Sequence, residues 1–68
     1  MRLRIDKEAD ALYLRLDESA IVESEEVQPG VILDFNAENH VVGVEFLGIG
    51  KRIAPDKLKT FFFESQLT

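Results

Sequence analysis

No cysteine occurs among the 68 residues, which excludes disulfide staples, cysteine-bearing zinc sites and a thiol nucleophile. The chain has a single histidine, and no serine near it completes a nucleophilic triad. Long hydrophobic runs are missing too. The start, Met-Arg-Leu-Arg-Ile-Asp, lacks the roughly seven-residue apolar stretch of a signal peptide, and nothing approaches the roughly 18 residues that span a bilayer. The expectation is a cytoplasmic protein without a membrane partner. Basic residues are in the minority: 8 Lys and Arg against 13 Asp and Glu give a formal charge of −5. Such a field repels phosphate backbones and disfavours nucleic acid as a direct ligand. Internal repeats, low-complexity tracts and linkers are absent, so residues 1–68 read as a single domain. A chain this short buries only about 60% of its unfolded surface, which leaves a marginal core unless a second molecule covers part of it.

What is present is a series of short apolar runs separated by turn residues, the pattern of antiparallel strands. Leu3 and Ile5 alternate with Arg2 and Arg4; Leu12, Leu14 and Leu16 alternate with Tyr13 and Arg15. With Ile5 opposite Leu12 and Leu3 opposite Leu14, one face of this hairpin is wholly apolar. Asp17 to Ala20 is a polar turn. Ile21 to Gln28 is a poorer strand, interrupted by Glu23, Glu25 and Glu26, and Pro29-Gly30 then breaks the chain. Val31 to Phe35 and Val41 to Phe46 are the strongest strands, and Asn39 stands where the turn between them wants a left-handed residue. If residue 36 lies opposite residue 40, this second hairpin is apolar on both faces: Ile32, Val42, Val44 and Phe46 on one, Val31, Leu33, Phe35 and Val41 on the other.

Beyond Gly48 and Gly50, Ala54 to Lys59 has proline and aspartate where a first helical turn favours them, with Leu58, Phe61 and Phe62 at helical spacing. The expected fold is therefore α+β: a small twisted antiparallel β-meander of four to five strands with one short C-terminal helix. That helix covers one face of the sheet. The other face is left for a second subunit, so a homodimer or higher homo-oligomer is expected.

Asp6-x-Glu8-Ala9-Asp10-Ala11-Leu12-Tyr13-Leu14, Pro29-Gly30-Val31-Ile32-Leu33-Asp34 and Val42-Gly43-Val44-Glu45-Phe46-Leu47 together resemble the small prokaryotic family called domain of unknown function 2283. Ile5 stands where that family usually has tyrosine, and Asn39 where it usually has glycine. The resemblance implies a short β-rich protein of unassigned activity. Because members are sometimes encoded beside small toxin-like proteins, it also implies antitoxin-like binding to a protein partner encoded nearby. It supplies no catalytic residues.

Several constellations invite a chemical reading. Asp6, Glu8 and Asp10, with Asp17 at the twelfth position, imitate the start of a calcium loop, but Ala11 stands where the loop needs glycine and the leucines behind it alternate as a strand. A turn in which Asp6 and Asp10 accept backbone N–H groups is the simpler reading. Asp34 and Glu45 would make an acid pair only if they shared a face, and the register above separates them. Glu45 is expected to need a partner, an arginine from this chain or from a second subunit. A metal site at His40 would require carboxylates from elsewhere. Gly48-x-Gly50-Lys51 lacks the length and the Ser or Thr of a phosphate-binding loop.

Arg2, Arg4 and Arg15 with Tyr13 form a patch suited to an anion. If Leu16 faces Val22, however, Arg15 meets Glu23 and Tyr13 meets Glu25, which neutralises it. Phe61, Phe62 and Phe63 cannot all face one core. The functional expectation is a non-enzymatic protein-interaction module with no cofactor and no metal. Tyr13, Arg15, Glu23, Glu25, Glu26, Phe61, Phe62 and Phe63 are its partner-contact candidates. The alternative is a small metal-binding or carboxylate-based enzyme using Asp6, Glu8, Asp10 and Glu45.

Overall fold

The computed structural model describes residues 1–66. Five strands, β1 (Arg2–Asp6), β2 (Ala11–Arg15), β3 (Glu23–Gln28), β4 (Val31–Phe35) and β5 (Val41–Leu47), form one antiparallel open sheet in the order β1-β2-β5-β4-β3. A short helix, α1 (Ile49–Arg52), and a 3-10 turn at Pro55–Lys59 follow. The fold is a small α+β protein, as expected from the sequence.

The first hairpin pairs as its alternation dictates, with Ile5 opposite Leu12 and Leu3 opposite Leu14. Its turn is closed by the Asp6 carboxylate, which accepts the N–H groups of Glu8 and Ala9 at 3.0 and 3.1 Å. Asp10 then takes a left-handed conformation at φ 51° and accepts the Gly50 N–H at 2.9 Å, tying this turn to the start of α1. Both aspartates thus bind backbone amides, one locally and one across the sequence. Asn39 is left-handed at φ 63° as its turn requires. The buried Asn36 carboxamide accepts the N–H groups of Glu38 and His40 there. Between β3 and β4, Pro29 fixes one φ and Gly30 supplies φ 77°.

Two expectations about the sheet fail, and both matter for function. β2 does not lie beside β3: it pairs with β5, so Tyr13 faces Glu45 and Arg15 faces Gly43. The physical reason is burial. β5 is apolar enough for the middle of a sheet, whereas β3 is exposed along its whole length and its glutamates keep an open edge from pairing with other sheets. The β2–β3 connection runs past two strands along the end of the sheet, fixed by Leu16 N–H on the Val42 carbonyl and Val22 N–H on the Phe35 carbonyl.

The second failure is the register of β4 on β5. A bulge between Asp34 and Phe35 shifts it by one residue, so Leu33 faces Val44, Ile32 faces Glu45 and Asp34 faces Gly43. A one-residue slip moves side chains to the opposite face. The hairpin is consequently not apolar on both sides. One face of the sheet carries the rows Ile5, Leu12, Phe46, Val31 and Leu3, Leu14, Val44, Leu33. The other carries Arg4, Tyr13, Glu45, Ile32, Glu26 and Arg2, Arg15, Gly43, Asp34, Ser24.

The C-terminal helix differs from expectation as well. Ile53 is already extended at φ −131°, ψ 134°, which ends α1 at Arg52; Ala54 precedes a proline and sits at φ −58°, ψ 136°, outside the helical region, and only a 3-10 turn follows. That turn buries nothing, and Phe61, Phe62 and Phe63 are 66%, 83% and 68% exposed. No helix covers the apolar face among the described residues. With overall extents of 38 × 36 × 18 Å the molecule is a slab, and most of the apolar row is only half-buried, with Leu3 exposed.

Candidate functional site

The buried polar groups gather on the other face, and Gly43 explains why. A Cβ there would lie 2.5 Å from the Tyr13 hydroxyl and 3.0 Å from Asp34 Oδ2. The absent side chain is the channel through which Tyr13, on β2, reaches across β5 to Asp34, on β4. Its hydroxyl donates to Asp34 Oδ2 at 2.7 Å, and the Ser24 hydroxyl, from β3, donates to Oδ1 at 2.6 Å. One buried carboxylate on β4 therefore ties β2 and β3 to that strand, with β5 lying beneath the tyrosine.

Arg15 completes the network. Its side chain is buried; Nη1 donates to the Tyr13 hydroxyl at 3.3 Å, and Nε and Nη2 donate to the backbone carbonyls of Asp17 and Ser19. The guanidinium thus holds the β2–β3 connection against the sheet. Asp17 stiffens the same loop by accepting the Ser19 N–H at 3.1 Å. Bonds from the Ser19 hydroxyl and N–H hold the Asp17 carboxyl below its usual range. That contribution to stability is present above the unfolded carboxylate value and is lost as pH falls through the folded one.

Burial raises the Tyr13 phenol above its ordinary value; the Arg15 hydrogen bond opposes this, and the Asp34 carboxylate adds to it by hydrogen bond and charge. A raised folded value means that the stabilisation is present below the unfolded tyrosine value and is lost as pH rises through the folded one. Tyr13 is the only tyrosine in the chain. Its ultraviolet phenolate titration is therefore a direct reading, expected with a midpoint above about 10 and moving down in Asp34→Asn. A midpoint at or below the free-tyrosine value would contradict the clasp.

The remaining candidates are dispersed. Glu45 shares a face with Asp34, contrary to the expected register, and no arginine of this chain pairs with it among the described residues. Asp6, Glu8 and Asp10 belong to the first turn, and among the described residues no three His, Asp or Glu side chains gather to hold a metal ion. Glu23, Glu25 and Glu26 lie exposed on the edge strand β3, with two strands between them and Tyr13 and Arg15 on β2. The neutralising pairs of Glu23 with Arg15 and Glu25 with Tyr13 do not form, because β5 and β4 stand between them. Gly48, at φ 66°, opens α1, and Arg52 donates to the Pro29 carbonyl at 3.0 Å with its guanidinium 5.8 Å from the Phe46 ring centre. Asp34, Ser24 and Gly43 escaped sequence reasoning as members of the network. A glycine inside an otherwise apolar strand was the available signal.

Fold and site define a small α+β protein built on an open antiparallel sheet, with one polar clasped face and one apolar uncovered face. No helix among the described residues is long and apolar enough to cross a membrane. A family model described as "Protein of unknown function (DUF2283)" matches residues 2–49, which takes in all five strands, and the chain belongs to that family. No curated protein and no solved structure matches the chain.

Proposed function

We propose that the protein is a non-enzymatic interaction module that assembles as a homodimer through the apolar face of its sheet. The observation that carries this reading is the uncovered row Leu3, Leu14, Val44 and Leu33 with its neighbour Ile5, Leu12, Phe46 and Val31. A sheet that is apolar on one face needs a second layer. A second copy supplies one of matching chemistry, packed face to face about 10 Å away.

Area decides what else is needed. The four strands that carry the apolar rows, about 4.8 Å apart and about five residues long, give a face of roughly 300 Å², the size of the largest and often functional apolar patch of a monomer. Two such faces bury roughly 600 Å², short of the roughly 1,200–2,000 Å² of stable interfaces. Phe61, Phe62 and Phe63, largely exposed, add roughly 400 Å² per copy when they fold onto the partner. The total then falls within that range. Glu23 and Glu25, opposite Phe35 and Leu33, form an acidic rim to the same face.

Sedimentation equilibrium tests the assembly. The 7.7 kDa chain is expected at twice its own mass at micromolar concentration and at its own mass in Leu33→Lys, with circular dichroism verifying the fold. Equal masses for the two proteins would refute the reading. The exposed acidic edge further supports engagement of a basic protein partner in an antitoxin-like role. Co-expression with the product of the adjacent gene should recover a complex that is lost when Glu23, Glu25 and Glu26 become Gln. Recovery of each protein alone would remove that role.

A further inference from the structure

We propose that the face opposite the apolar one carries a binding pocket for a single oxyanion group, a phosphoryl or carboxylate group, lined by Arg2, Arg4, Tyr13 and Arg15. Three of the four arginines of an acidic chain meet there, and the lining includes no acid. The concavity holds about 80 Å³, several times what one water needs, which suits a charged group rather than a whole metabolite.

The register creates an unbalanced arrangement of charge. Arg2 lies directly opposite Arg15, and Arg4 opposite Tyr13. Like charges placed opposite each other on paired strands are unfavourable unless something compensates them. Arg2 has such compensation, a two-point bond to Glu18 at 2.8 and 3.0 Å. Arg15 bonds only to neutral acceptors, two backbone carbonyls and the Tyr13 hydroxyl, with the charges of Glu18 and Asp34 acting on it without contact, and Arg4 makes no side-chain hydrogen bond or ion pair among the described residues. The acids on this face, Glu45 opposite Tyr13 and Asp34 beyond Gly43, stand outside the lining, and Asp34 is already engaged by two hydroxyls.

An anion seated between Arg4 and Arg15 supplies the missing compensation. Part of the site is also built in advance. Arg15 is buried and fixed by three bonds and the Tyr13 ring is locked over Gly43, so the exposed side chains of Arg4 and Arg2 are what must be ordered when a ligand arrives. The Nε–Nη2 edges of Arg2 and Arg15 are taken by Glu18 and by backbone carbonyls, so the free fork is that of Arg4, and it matches the paired oxygens of phosphoryl and carboxylate groups alike.

Titration of the ¹⁵N-labelled protein with sodium phosphate, with sodium acetate, and with sodium chloride at matched ionic strength tests the pocket. Phosphate or acetate is expected to shift the Arg4, Tyr13 and Arg15 signals saturably while chloride does not, and the tighter of the two assigns the group. Arg4→Gln, which removes no bond in the structure, should weaken binding about tenfold; Lys51→Gln should leave it unchanged. Shifts that chloride reproduces, the absence of saturation with both anions, or undiminished affinity in a folded Arg4→Gln would each overturn the proposal.

Discussion

Gly43→Ala lowers the melting temperature by roughly 5–20 °C. The added methyl would sit 2.5 Å from the Tyr13 hydroxyl and 3.1 Å from Tyr13 Cζ, with Asp34 Oδ2 at 3.0 Å, and the ring can retreat only by giving up its bond to Asp34. Overpacking of this kind costs about 1–3 kcal/mol, and each kcal/mol moves the midpoint of so small a domain by about 4–8 °C. The backbone is not the cause, since Gly43 is not among the residues with positive φ. Alanine would in fact lower the entropy of the unfolded chain and help slightly. A double-mutant cycle separates the two effects: with Tyr13→Ala already made, Gly43→Ala should cost nothing measurable by thermal circular dichroism. A full penalty in that background would show that the crowding comes from somewhere other than the tyrosine.

Asp34→Ala is expected to cost about 3 kcal/mol in urea unfolding. The carboxylate is 8% exposed and accepts both the Tyr13 and the Ser24 hydroxyls; hydrogen bonds to a charged group are worth about 1.5–3 kcal/mol each. Its loss also leaves two hydroxyls without their acceptor. A 68-residue domain has roughly 3–10 kcal/mol in total, so the alanine variant is close to unfolding. Asp34→Asn keeps one acceptor oxygen, and the Ser24 hydroxyl can rotate to accept from the new amide, so that variant should lose about half as much. Equal losses for the two variants would mean that the site responds to volume and not to hydrogen bonding.

How far the sequence foretold this arrangement differed from element to element. The first hairpin was legible because its leucines and Ile5 alternate against arginines, and only one register puts them on one face. Asn39 was legible because few residues other than glycine accept its conformation. The neighbour of β2 was not. Proximity in sequence favoured β3, and the contrary signal, three glutamates that suit an edge and not a centre, weighed less than chain order. The bulge after Asp34 was silent as well. It depends on the Asn36 turn and on Tyr13 needing the space above Gly43, contacts that span the sheet and leave no local pattern.

That single residue of shift had the largest consequence for function. It gathered the apolar side chains of β4 and β5 onto one face and moved Asp34 to the other. The arginine patch, which sequence reasoning had neutralised with Glu23 and Glu25, emerged with those glutamates on the far edge. The C-terminal segment failed to provide a lid for a simpler reason: Pro55 expels Ala54 from helical geometry, and the phenylalanines beyond it are left in solvent.

The proposed division of the sheet into a face for a second copy and a face for a small anion is tested most directly by an isotope-filtered nuclear Overhauser experiment on a mixture of ¹³C-labelled and unlabelled chains. Intermolecular contacts are expected among the methyl groups of Leu14, Leu33 and Val44 and from them to the rings of Phe61, Phe62 and Phe63, with none reaching Tyr13. Intermolecular contacts at Tyr13, or none anywhere at concentrations where the chain is otherwise well behaved, would contradict the account.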